Sequence, residues 1–290
     1  MGDIMKAKAV LKLTRIEHSA MLVVAVLAAE LIVKGSFPSP PILVLSLITP
    51  IFISMASFAI NDYYDIEVDR TNVKRKPLVT GELKPIDALY VTAVSLLIGV
   101  AASAFINLYA FVIAIIFGLF ALLYSYRLKG IILIGNVYIA LSMAIPLIYG
   151  SYVVSNSIGP AIILVSLMIF LSGMAREIHG TIRDMEGDSK RGFRTLPMLI
   201  GNEASGAIAL ILYIIAIAIS LYLLSSVPPF KYNLSFGAPI AVSDALLLYT
   251  AIGYLSIGSS RFYDRARNLS LAAMSLALLA LLLSPVQLLP

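Results

Sequence analysis

Two short acidic runs carry the residue types and spacings most suited to chemistry. The first is Asn61-Asp62-Tyr63-Tyr64-Asp65-Ile66-Glu67-Val68-Asp69, and the second is Asp184-Met185-Glu186-Gly187-Asp188. If the first run continues a helix, Asn61, Asp65 and Asp69 stand at i, i+4 and i+8 on one face; Asp184 and Asp188 repeat the i, i+4 step. Like charges at that spacing destabilise a helix unless a counter-ion sits between them. A hard cation such as Mg2+ removes the conflict, because carboxylate and amide oxygens are its usual protein ligands. Each acidic run is followed by a basic one: Arg70, Lys74, Arg75 and Lys76 after the first, and Lys190, Arg191 and Arg194 after the second. Carboxylates that hold metal ions beside cations that neutralise phosphate oxygens form a set suited to a metal-bridged polyphosphate.

The elements that position these residues are membrane helices. Of the 290 residues, 60% are hydrophobic and 13% charged, and the mean hydropathy is +0.96, far outside the range of soluble domains. Windows of about 20 apolar residues place helices near 16–34, 41–62, 86–105, 108–126, 131–153, 158–178, 204–226, 238–257 and 268–287. The expected architecture is an all-α, multi-pass cell-membrane protein of nine transmembrane helices. No segment between them is long enough to fold alone, so residues 1–290 read as a single transmembrane domain. The basic first residues precede an apolar run that continues past any plausible signal-peptide cleavage site.

Charge supports the helix count. With nine spans, the N-terminal tail and every second loop share one side, and all Lys and Arg residues except Lys34 and Lys231 fall there. The positive-inside rule then puts the N-terminus, and the two acidic runs with it, at the cytoplasmic face. The second and sixth connections are long and polar, whereas those on the other side are short and apolar or Pro-rich. The two functional loops lie four helices apart, as in two pseudo-repeated four-helix halves followed by a final helix.

The absence of cysteine excludes disulfides and thiolate chemistry, and two histidines are too few for a histidine-rich metal site. The formal charge of +5 is interleaved with apolar spans, which suits lipid headgroups and phosphorylated substrates and argues against nucleic acid. No obligate protein partner is evident. Tyr124-Ser125-Tyr126-Arg127-Leu128-Lys129-Gly130 ends the fourth helix either as an aromatic belt with a basic anchor or with Arg127 or Lys129 over phosphates. His18 and His179 are candidate general bases or structural residues; Glu30 and Asp244 lie toward the opposite side, where they must turn inward or snorkel.

These residues resemble the UbiA superfamily of intramembrane prenyltransferases over nearly the whole chain. The family's NDxxDxxxD motif is matched by Asn61, Asp62, Asp65 and Asp69, and its DxxxD motif by Asp184 and Asp188. The YSYRLKG segment followed by Gly135-Asn136 is similar to the family's basic segment after the fourth helix. The resemblance implies nine helices around a central cavity open to the cytoplasmic side, with Asn61, Asp65, Asp184 and Asp188 holding Mg2+ on the diphosphate of a prenyl donor. Asp62 and Asp69 would support them. Arg70, Lys129 and either Arg127 or Arg194 would contact diphosphate oxygens, and Tyr63, Tyr64 and Tyr124 would stabilise the allylic cation.

The acceptor reading divides. REIHGTIRDMEGDSKRGFRTLP is similar to the branch that prenylates geranylgeranylglyceryl phosphate for archaeal membrane lipids, in which REI, DxEGD and TLP recur. Arg15-Ile16-Glu17-His18 is more similar to the branch acting on aromatic acids such as 4-hydroxybenzoate, and it makes Arg15 and His18 the acceptor candidates. Other enzyme and transport readings fit less well. The compact signature of CDP-alcohol phosphotransferases is absent, and a transporter's carboxylates belong near the bilayer midplane.

Overall fold

The structure is a computed structural model. It describes residues 2–71, 75–190 and 192–285, with side chains from residue 6 onward and excepting that of residue 190. Among the described residues all regular structure is helical, and nine helices are long and apolar enough to cross a membrane. That is the only fold open to a chain whose backbone polar groups must be satisfied within lipid, short of a closed barrel. The chain divides into two compact units, residues 1–23 with 38–129 and residues 24–37 with 130–290.

The first unit contains α1 (Gly2–Thr14), the start of α2 (Ser19–Lys34), α3 (Pro40–Tyr64), α4 (Ile66–Thr71), α5 (Pro77–Thr80), α6 (Pro85–Ala104) and α7 (Leu108–Tyr126). The N-terminal tail, which falls outside the helix windows of the sequence and reads there as a basic tail, is thus a helix. Its buried Ala9 and Leu13 pack with Ala59, Ile66, Leu78, Leu83 and Ala88. Hydropathy windows miss it because Lys6, Lys8 and Lys12 dilute the apolar signal. Its apolar stripe nevertheless finds a core to cover. Helices α3 and α6 approach so closely at Gly99 that an added Cβ would lie 3.2 Å from the Thr49 carbonyl oxygen. The Thr49 hydroxyl donates to the Gly99 carbonyl at 3.2 Å. Small residues and hydroxyls are the usual means of joining helices where lipid leaves little hydrophobic drive.

The second unit takes the remainder of α2 and adds α8 (Ile134–Val154), α9 (Pro160–Lys190), α10 (Leu196–Ile200), α11 (Asn202–Ser226), α12 (Leu234–Ser256) and α13 (Ser260–Leu283). Gly150 on α8 admits α2: a Cβ there would fall 2.7 Å from the Val26 carbonyl oxygen. Ala175, Ile178 and Ile182 of α9, Ala209 and Tyr213 of α11, Leu247 and Ala251 of α12, and Ala266 and Ala273 of α13 share one core. Helix α9 extends well past the expected end at residue 178, and α13 begins before the expected 268. Both extensions carry charge that a hydropathy window reads as loop, although nothing in either sequence interrupts backbone hydrogen bonding.

Candidate active site

In the first unit the acidic motif lies where α3 passes into α4. Asp65 is the hinge, at φ −89 and ψ 0. Its N–H still donates to the Asn61 carbonyl at 3.0 Å, and the Asp69 N–H donates to the Asp65 carbonyl at 2.8 Å. Helical spacing therefore persists through the hinge, but the side chains sort differently from the sequence expectation of Asn61, Asp65 and Asp69 together. Asp62 and Asp69 are seven residues apart, close to two full turns, and form a pair that is only 2% exposed. Lys76 closes it, with Nζ 2.7 Å from Asp62 Oδ1 and 2.5 Å from Asp69 Oδ2.

Arg15 completes this network. Its Nη2 donates to Asp62 Oδ1 at 2.8 Å, and its guanidinium lies 5.0 Å over the Phe58 ring. The backbone at Arg15 is left-handed, φ 45 and ψ 48. That conformation costs an L-residue roughly 1–2 kcal/mol, and the ion pair and ring contact offset it. Two buried carboxylates and two cations thus neutralise each other.

Asn61 and Asp65 turn elsewhere. Lys129, from the single turn that follows α7, reaches Asp65 Oδ2 at 2.5 Å and Asn61 Oδ1 at 3.3 Å. The Asn61 amide donates to Asp65 Oδ2 at 3.3 Å. An amide oxygen and a carboxylate oxygen converge on one ammonium, so the pair already forms a cation position in which Lys129 stands. Tyr63 packs edge-on against Tyr64 at 5.3 Å, and Tyr64 against Tyr126 at 5.7 Å. Tyr124 is half-buried on the same helix end. Arg127 caps α7 with its guanidinium 5.3 Å over Tyr126, and Arg70 pairs with Glu67 at 2.9 Å in the open. His18 is exposed and packs edge-on to Phe58 at 5.3 Å.

In the second unit, α9 carries Asp184 and Asp188 on successive turns. Asp184 is 53% exposed and is gripped by its neighbour Arg183, which donates from Nε to Oδ1 at 2.8 Å and from Nη2 to Oδ2 at 2.6 Å. Asp188 is half-buried; its carbonyl accepts the Phe193 N–H at 3.0 Å where the chain leaves the helix. Arg194 is exposed just before α10, while Lys74, Arg191 and the Lys190 side chain lie outside the described residues. Deeper on α9, Arg176 pairs with Glu177 at 3.1 Å. His179 is only 4% exposed and stacks on Tyr254 at 3.8 Å, with Tyr254 stacked in turn on Tyr263 at 4.5 Å. The stack ties α9 to α12 and α13 and assigns His179 a packing role. Sequence reasoning grouped Lys76 with the phosphate-neutralising cations, whereas the structure pairs it with Asp62 and Asp69; it did not single out Arg183. The available signal for Lys76 was its place just before Pro77, the residue that opens α5 and fixes where the chain turns back.

The model of the UbiA prenyltransferase family matches residues 22–261, a span that contains both acidic motifs. The chain belongs to that family. It is 35% identical over 272 residues to digeranylgeranylglyceryl phosphate synthase of Archaeoglobus fulgidus, with 93% of each chain covered. Among solved structures, one from a study of digeranylgeranylglyceryl phosphate synthase in membranes superposes with a TM-score of 0.81 at 28% identity, covering 98% of this chain and 99% of that one. A UbiA homolog from Archaeoglobus fulgidus bound to GPP and Mg2+ has the same fold, with a TM-score of 0.68, 21% identity, and 94% and 99% of the two chains covered. Membership of the family makes the protein an integral membrane prenyltransferase.

Proposed function

We propose that the protein transfers a geranylgeranyl group from geranylgeranyl diphosphate to geranylgeranylglyceryl phosphate. The carbon–oxygen bond at C1 of the donor breaks, diphosphate leaves with the electron pair, and the acceptor's hydroxyl oxygen bonds to C1 as its proton is lost. The observation that carries this reading is end-to-end similarity to digeranylgeranylglyceryl phosphate synthase, together with Arg176-Glu177-Ile178, Asp184-Met185-Glu186-Gly187-Asp188 and Thr195-Leu196-Pro197 in this chain. One acidic motif lies in each compact unit, and the chain is read as a single prenyltransferase domain.

Asn61, Asp65, Asp184 and Asp188 are the proposed Mg2+ ligands. All four offer hard oxygen donors, and the convergence of Asn61 and Asp65 on an ammonium fits a cation position. Among the described residues no three His, Cys, Asp or Glu side chains gather into a complete metal site. Mg2+ is usually held by one or two carboxylates together with substrate phosphates. Bound there, the metal would absorb charge developing on the departing diphosphate. Lys129, Arg70 and Arg127 or Arg194 serve the remaining diphosphate oxygens, and Tyr63, Tyr64 and Tyr124 face the allylic cation. Apolar helices take up the isoprenoid tail and keep water from the cation.

The distribution of Lys and Arg supports a cytoplasmic location for this chemistry. Arg15 and His18 are the candidate acceptor contacts, His18 as the exposed member and Arg15 through its hold on Asp62. Their sequence context, Arg15-Ile16-Glu17-His18, also favours a second reading in which the acceptor is an aromatic acid. A radiolabelled transfer assay with purified protein, Mg2+ and geranylgeranyl diphosphate, offering geranylgeranylglyceryl phosphate and 4-hydroxybenzoate in parallel, separates the two. Product on the glycerol lipid is expected; product on 4-hydroxybenzoate alone would replace the acceptor assignment.

A further inference from the structure

Arg183 grips Asp184 with two hydrogen bonds, whereas the other adjacent pair on α9, Arg176 with Glu177, makes a single contact at 3.1 Å. Neighbours in sequence point about 100° apart, and pairs favoured by helix geometry lie three or four residues apart. Arg183 therefore bends back to reach Asp184, and it does so with both prongs of its fork. Burial does not compel the contact. Asp184 is 53% exposed and Arg183 23%, so the pair is worth little in stability and a dication can displace it at small cost.

The first unit shows the same arrangement at the carboxylate assigned to metal: Lys129 rests on Asp65 as Arg183 rests on Asp184. A planar guanidinium matches a phosphate edge with two parallel hydrogen bonds, which a lysine ammonium does not.

We propose that Arg183 is a stand-in counter-ion for Asp184 and a diphosphate ligand: when metal and diphosphate bind, Asp184 turns its oxygens to the metal and the Arg183 guanidinium transfers to phosphate oxygens. The assignment rests on the reading of Asp184 as a metal ligand. It adds Arg183 to the diphosphate-binding residues and gives each acidic motif its own cation.

Binding measurements on the full-length detergent-solubilised protein test this without turnover. Mn2+ binding is followed by electron paramagnetic resonance, first alone and then with the unreactive analogue geranylgeranyl S-thiolodiphosphate. Arg183→Gln should bind Mn2+ alone several-fold more tightly, because a competitor for Asp184 is gone, yet bind the analogue about tenfold more weakly, because a charge-assisted fork is lost. Arg183→Lys should shift both affinities in the same directions by less. Opposite movement supports the exchange; unchanged affinities, or a loss of both together, would overturn it, the latter showing that Arg183 merely holds Asp184 in place. If Arg183→Gln does not fold, Arg183→Lys carries the same comparison. Failure of the wild-type protein to bind Mn2+ with the analogue would instead sink the metal site itself.

Discussion

The two acidic motifs have nearly the same spacing of aspartates, but their surroundings set different tasks. In the first unit Asp62 and Asp69 are sealed at 2% exposure with Lys76, itself 19% exposed, and only Asn61 and Asp65 remain to take a cation with Lys129. In the second unit Asp184 is half open to solvent and its partner is the residue beside it. Charges removed from water must be paired or the fold suffers, whereas an exposed pair is nearly neutral in stability. On the proposed assignment the first motif is half scaffold and half metal site, and the second is mainly metal site, which a ligand can rearrange without disturbing the core.

The sharpest way to break this contrast is Lys76→Met, which removes the cation shared by two buried carboxylates and leaves Asp62 with Arg15 alone. Loss of one partner from a buried charge network costs about 3–5 kcal/mol, so thermal unfolding in detergent should show a large fall, with Lys76→Arg recovering most of it. A fall no larger than that of an exposed-pair variant would mean that the network is not structural. Arg15→Ala comes next. Asp62 keeps Lys76 but loses one charge-assisted bond and the ring contact to Phe58, a cost of about 1–3 kcal/mol. If Arg15 served only the acceptor, its removal would raise the acceptor KM with no change in unfolding. Arg70→Ala should have the smallest effect on stability, within about 0.5 kcal/mol, because its pair with Glu67 is exposed. A several-fold rise in KM for the prenyl diphosphate is the expected kinetic signature, and an unchanged KM would remove Arg70 from the donor site.

Much of this was legible in the sequence. Nine apolar windows gave nine spans, because helix formation in lipid follows length and hydropathy with little competition. The charged continuations were not legible in that way: α1, the end of α9 and the start of α13 owe their form to tertiary cores and unbroken backbone hydrogen bonding, to which a hydropathy window is blind. In the candidate site, residue types and spacing put Asn61, Asp65 and Asp69 on one face and paired Asp184 with Asp188, but spacing could not show that Asp69 is neutralised internally. Only the position of Lys76, carried back by the turn before α5, shows which carboxylates are neutralised internally. Arg183 was hidden for a similar reason, since its role depends on where a flexible side chain points and not on where it stands in the helix.

Each acidic motif is proposed to take part in Mg2+-dependent binding of the prenyl diphosphate. Binding of geranylgeranyl S-thiolodiphosphate to the purified protein, with and without Mg2+, tests it most directly when wild type is compared with Asp65→Ala and Asp184→Ala. Mg2+-dependent binding by wild type, and its loss by at least about tenfold in each variant while both remain folded, is the expected result. Undiminished Mg2+-dependent affinity in either variant would contradict the claim and leave that motif without a part in donor binding.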